Sequence, residues 1–99
     1  MKNPIENLSK LFDSRIKLGI MSMLMVNDAI SFNQIKELLD ITDGNLASHL
    51  KALEENEYIQ IRKNFIGKKT NTMVAITRKG EKSFKTHLQG LEKMIKLMK

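Results

Sequence analysis

Apolar residues change their spacing abruptly at Tyr58, and that change limits the folds open to this chain. Upstream, Phe32, Ile35, Leu38 and Leu39, then Leu46, Leu50 and Leu53, recur every three or four residues, as in helices that bury one face. Downstream, Tyr58-Ile59-Gln60-Ile61-Arg62-Lys63 alternates apolar with polar, and Thr72-Met73-Val74-Ala75-Ile76 reads as a strand returning beside it. Phe65-Ile66-Gly67-Lys68-Lys69 supplies the turn between them, with Phe65 and Ile66 either packed under it, the favoured place, or exposed at its tip. The first helical run ends near Asp40, Ile41 follows, and a short polar turn at Thr42-Asp43-Gly44 caps the second run. Two helices meeting at a tight turn must therefore be followed at once by a β-hairpin.

The flanking segments extend this pattern. Asn3-Pro4-Ile5-Glu6 has the letters of a helix start, and Leu8, Leu11 and Phe12 give a short first helix its stripe. Asp13-Ser14 reads as a fresh cap for a helix to about residue 27, whose Ile16, Ile20, Met23 and Leu24 are widened by Leu18, Met21 and Met25. The methionines read as irregular core filler. Ala29-Ile30-Ser31 is a brief extended piece, and Ser31-Phe32-Asn33-Gln34 is a capping box. Thr77 caps a last helix in which Phe84, Leu88, Leu91, Ile95 and Met98 step by 4, 3, 4 and 3. The expected architecture is a single domain over residues 1–99, mainly α with a small β-hairpin. Its parts are those of a winged helix: a helix-turn-helix at about 32–56, a wing hairpin at about 58–76 and a C-terminal helix at about 78–98, with the terminal helices serving dimerisation.

Charge separates the two halves. Residues 1–50 hold five Lys/Arg against six Asp/Glu, whereas residues 51–99 hold twelve against five. A polyanion touched by the C-terminal half fits that asymmetry. The absence of cysteine excludes disulfides and thiolate chemistry, and His49 and His87 have no partners at metal-ligand spacing, so neither metal nor cofactor is expected. No phosphate loop, dinucleotide fingerprint, nucleophile elbow or HExxH helix points to an enzyme. With neither a leader-like start nor an apolar run of membrane-spanning length, a cytoplasmic location and no membrane partner are expected.

If Leu46, Leu50 and Leu53 face inward, the opposite side of their helix presents Asn45, Ser48, His49 and Ala52, with Thr42, Asp43 and Gly44 at its tip. Small uncharged side chains are unusual on a solvated helix face. Asn pairs with adenine, Ser with several bases, and an Ala methyl with thymine. Asp43 repels phosphate, so a cap or an acceptor for a cytosine amino group suits it better. The hairpin tip carries Lys63, Asn64, Lys68, Lys69 and Asn71 around Gly67, and residues 58–85 hold eight Lys/Arg against the single acid Glu81. A basic loop beside a major-groove helix can follow the backbone or enter the minor groove. Leu8, Leu11, Phe12, Phe84, Leu88, Leu91, Ile95 and Met98 are the candidate dimer interface, with Gly90 allowing close approach of a neighbour and His87 on the surface.

Several runs resemble a known group: Leu11-Phe12-Asp13-Ser14-Arg15-Ile16, Phe32-Asn33-Gln34-Ile35-Lys36-Glu37-Leu38-Leu39, Thr42-Asp43-Gly44-Asn45-Leu46-Ala47-Ser48-His49-Leu50, and Ile76-Thr77-Arg78-Lys79-Gly80. Together they resemble the MarR/ArsR-like winged-helix regulators, above all the short stand-alone winged helix DNA-binding domains. The resemblance spans about residues 11–91 and is most specific at 42–50. It implies a homodimer on double-stranded DNA bearing an inverted repeat. Thr42, Asp43, Gly44, Asn45, Ser48 and His49 would then lie at the major groove, and Lys68 and Lys69 on a wing at the minor groove. This chain departs from the group at the wing, where Lys68-Lys69-Thr70 stands in place of a tip arginine and a following proline. Without cysteines, the metal- and oxidant-sensing modes of such regulators are closed, leaving a small organic effector, a protein partner or no effector. A protein-interaction module using Glu54, Glu55 and Glu57, or non-specific DNA binding, is the competing reading.

Overall fold

The computed structural model describes residues 3–98. A 3₁₀ turn at Lys10–Phe12 leads into α1 (Arg15–Met25), β1 (Ile30–Ser31), α2 (Phe32–Leu39), α3 (Asp43–Glu55), β2 (Ile59–Ile66), β3 (Lys69–Ile76) and α4 (Arg78–Leu97). Each α-helix begins on a hydroxyl that accepts from the first turn. Ser14 serves Lys17, Ser31 serves Gln34, Thr42 serves Asn45 and Thr77 serves Gly80, and Gln34 accepts in return from the Ser31 N–H to complete the capping box. These caps satisfy N–H groups that have no partner within the helix.

The N-terminal helix expected before residue 13 does not form. Asn3 Oδ1 accepts from the Ile5 N–H and Ser9 Oγ from the Leu11 N–H. Such local bonds give short segments an alternative to helix, whose nucleation is costly. The segment instead lies along α4, and a Cβ at Gly90 would come within 2.9 Å of Leu8 and 3.2 Å of the Asn7 carbonyl. Gly90 therefore admits this chain's own N-terminal segment.

One core joins all layers: Phe12, Ile20, Met21 and Leu24 pack with Ile35, Leu46, Leu50 and Leu53, the strand residues Ile30, Ile59 and Val74, and Phe84. The antiparallel sheet has the order β1-β3-β2. Pairing of β2 with β3 runs from Ile59↔Ile76 to Ile66↔Lys69, so Gly67 and Lys68 alone make the turn. Gly67 takes a φ of +64°, at the first central position of a two-residue hairpin loop, where glycine carries no Cβ penalty.

The base of the hairpin is fastened to both neighbouring helices. The Tyr58 N–H donates to the Leu53 carbonyl at 3.0 Å, and the Thr77 hydroxyl donates to the Glu57 carbonyl at 2.6 Å. α4 starts so close to this turn that a Cβ at Gly80 would lie 2.1 Å from the Tyr58 carbonyl oxygen. Only glycine fits there.

Three expectations about burial are corrected. Leu38 is 72 % exposed, because α2 is covered on the side of Ile35 and Leu39 only. Phe65 and Ile66 are exposed rather than packed under the turn, since the hairpin projects beyond the core. His87 is buried, not a surface residue: its ring meets Phe12 edge-on at 5.2 Å and stacks on Phe84, and its Nδ1 accepts from the Ser9 N–H at 3.1 Å. That bond places the imidazole proton on Nε2. Burial holds its pKa below the ordinary value, opposed by the charge of Asp13.

The apolar seam of α4 is also divided. Phe12 and Phe84 are fully enclosed in this chain's own core and have no surface to offer a second copy. Leu8, Leu11 and Leu91 are half-buried, whereas Leu88, Ile95 and Met98 are exposed.

Candidate nucleic-acid interface

Leu46, Leu50 and Leu53 fasten α3 to the core and so fix which of its residues face outward. Asn45 and Ser48 are exposed, Ala52 is half-buried, and Thr42, Asp43 and Gly44 form the exposed first turn. Thr42 is the cap, its hydroxyl accepting from Asn45 at 3.1 Å. Asp43 is not a cap. Its carboxylate lies 2.7 Å from the Lys36 ammonium on α2, within the helix turn where the dipole favours an acid. That pairing offsets the charge of the acid in the first turn of α3, which would otherwise repel phosphate. Nothing lies within 4 Å of a Cβ built on Gly44, so the fold has no packing need for a glycine there.

His49 is half-buried at the edge of this face, with Nδ1 2.9 Å from the Lys17 ammonium of α1. The neutral ring accepts that bond, leaving Nε2–H as the donor available to a ligand. Desolvation first, and the Lys17 charge second, lower its pKa from the ordinary imidazole value.

The hairpin brings the expected wing residues together. Lys63, Asn64, Gly67, Lys68 and Lys69 are exposed and Asn71 is half-buried, paired across the strands with Asn64. Among the described residues, none of Arg62, Lys63, Lys68 and Lys69 lies within ion-pair distance of a carboxylate, while Lys36, Lys79, Lys85 and Lys96 do. The wing's positive charge is therefore uncompensated.

Sequence reasoning missed Lys51, which is exposed one turn beyond Ser48 and thus on the same outward side. Its spacing from the three leucines carried the signal. The Lys17 and Lys36 contacts bring together residues of different helices, so no local pattern announces them. Among the described residues there is no group of three or more His, Asp or Glu placed to hold a metal ion, and no helix long and apolar enough to cross a membrane.

This arrangement has counterparts among known proteins. An uncharacterised protein of Methanocaldococcus jannaschii is 38 % identical over 79 residues, covering 80 % of this chain and 86 % of that one. The solved structure of a transcriptional regulator homologue protein from Pyrococcus horikoshii superposes with a TM-score of 0.84 at 34 % identity, covering 91 % of this chain and 89 % of the other. The YusO protein from Bacillus subtilis shares the fold at a TM-score of 0.81, with 16 % identity, over 96 % of this chain and 67 % of its own. The sequence model of the winged helix DNA-binding domain matches residues 16–95, and with that match and these relatives the chain belongs to the winged helix DNA-binding domain family.

Proposed function

We propose that the chain is a homodimeric transcriptional regulator that binds a specific double-stranded sequence and represses by occupying it. The observation that carries this reading is the pairing of two unlike surfaces: a rigid α3 face of short side chains, and an adjoining wing with uncompensated positive charge. Asn45 and Ser48 have the chemistry to read base edges in the major groove, and the first-turn amides of α3 can hold a phosphate. Lys63, Lys68 and Lys69 neutralise the flanking backbone. The likeness to the Pyrococcus horikoshii transcriptional regulator homologue supports the same reading.

Dimerisation is assigned to the exposed part of the α4 seam, Leu88, Ile95 and Met98, which lies uncovered on a single chain. Two such stripes meeting about a two-fold axis would present two α3 helices to successive major grooves, about 34 Å apart. Selection from a random duplex pool near physiological salt tests this. Recovery of an inverted repeat with half-sites about one helical turn apart supports the dimeric reader. Only weak binding that salt removes, with no sequence enriched, would leave a non-specific DNA binder or a protein-interaction module.

A further inference from the structure

Phe65 and Ile66 are 76 % and 67 % exposed at the end of the hairpin, although nothing in the fold requires large apolar residues there. Burial along β2 falls from Ile59 to a half-buried Ile61 and then ends. Cross-strand register sets Phe65 opposite Thr70 and Ile66 opposite Lys69. Neighbouring residues of a strand point to opposite faces, so the tip of the ribbon is apolar on both sides. Lys63 lies two residues from Phe65 on the same face, Lys69 shares the face of Ile66, and Lys68 sits in the turn. The tip is thus a narrow apolar wedge collared by three lysines.

We infer that this tip is a minor-groove wedge: Phe65, flanked by Ile66, inserts against a base step while Lys63, Lys68 and Lys69 hold the phosphates bordering the groove. The inference rests on the DNA-binding reading and adds a mode of recognition to it. The chemistry of the collar selects the partner, because a ring of unpaired lysines around an apolar tip matches a polyanion whose bases offer apolar faces between two charged rims. Lysine is a point charge and does not fill the groove as a planar guanidinium does. The filling falls to the two apolar side chains. Apolar side chains pushed into a base step unstack it and kink the duplex by about 20–90° toward the major groove. Pyrimidine–purine steps unstack most easily, so the wing would prefer such a step beside the half-site without bonding to any base edge.

The test uses the duplex recovered by selection, carrying end-labels for energy transfer and 2-aminopurine at the flanking step. The wild-type chain is expected to shorten the end-to-end distance and brighten the 2-aminopurine. Phe65→Ser should abolish both and weaken binding by about tenfold, the scale of losing one buried aromatic side chain, and Ile66→Ser should act in the same direction. Phe65→Leu should keep the bend, and Lys68→Ala should weaken binding while leaving the bend in place. Both apolar positions are exposed, and unchanged thermal melts would confirm that the variants fold. A bend and affinity unchanged in Phe65→Ser and Ile66→Ser would overturn the wedge while the DNA reading stands. Wild-type chain that binds no duplex would overturn both. Binding to anionic phosphatidylserine vesicles that is lost in Phe65→Ser, with DNA bending intact, would reassign the tip to a membrane surface.

Discussion

The outward face of α3 and the tip of the wing belong to one surface but are built on opposite principles. Asn45 and Ser48 are short side chains on a helix held by three buried leucines and a threonine cap. Little rotamer freedom is lost when such groups are ordered, and their hydrogen bonds depend on geometry. Lys63, Lys68 and Lys69 are long side chains on a ribbon that the core supports only at its base. Their attraction to phosphate is tolerant of geometry and screened by salt. Side chains of the first kind discriminate between base edges and lysines of the second kind supply affinity, so changes in the two sets should have separable signatures.

The largest effect should come from the ribbon. Replacing Lys63, Lys68 and Lys69 together by alanine should lower affinity near physiological salt by about a hundredfold, and flatten the slope of log affinity against log salt by roughly 0.9 for each phosphate no longer neutralised. The loss should be similar on preferred and random duplexes. A loss confined to the preferred duplex would assign sequence reading to the wing and erase the contrast.

The next effect belongs to the helix. Asn45→Ala and Ser48→Ala should each cost about 1–3 kcal/mol on the preferred duplex, with the salt slope unchanged and binding to random DNA nearly intact. Competition titrations with the two duplexes measure the difference. Equal losses on both would show that these side chains touch backbone, not bases.

The same contrast explains what is legible in the amino-acid sequence. The elements of both regions can be read there because their signals are local: the Ser31–Gln34 capping box, the spacing of Leu46, Leu50 and Leu53, and the alternation after Tyr58. Residues whose place depends on distant parts of the chain cannot. His87 interrupts an apolar stripe as a polar letter, yet it is buried because Phe12, Phe84 and the Ser9 amide converge on it. Phe84 opens a five-residue seam that looks uniform, but its position beside Phe12 places it in the core while Ile95 and Met98 stay outside. Phe65 and Ile66 look like loop packing until the reach of the hairpin beyond the core is known. In the candidate site, the surfaces are legible, but the Lys36–Asp43 and Lys17–His49 contacts that set its charge are not.

Acidity acts on one region alone, since α3 carries a histidine and the wing none. Both His49 and His87 have folded-state pKa values below the ordinary value of about 6.5. The folded chain therefore binds fewer protons than the unfolded chain as pH falls. The associated stability is present in full above about pH 6.5 and is lost as pH drops through the lowered values. Thermal melts should show a falling Tm over that window, shallower in His49→Gln and in His87→Gln and shallowest in the double variant. Only His49→Gln should also alter DNA preference. A pH dependence unchanged in the double variant would place the titrating group elsewhere.

The smallest effect is the most diagnostic, because it should move stability and binding in opposite directions. Gly44 lies in the first turn of α3, where an added Cβ meets no atom of the chain within 4 Å. Alanine restricts the unfolded chain and favours helix, so Gly44→Ala should stabilise the protein by roughly 0.5–1 kcal/mol. A glycine that costs stability without serving the fold makes sense if a backbone or base edge must come close to that turn. Gly44→Ala should then raise Tm by a few degrees while weakening the preferred duplex and sparing wing-dominated binding to random DNA. If both stability and affinity rose together, the tip of α3 would stand clear of the DNA, and sequence reading would rest on Ser48, Lys51 and the residues beyond them.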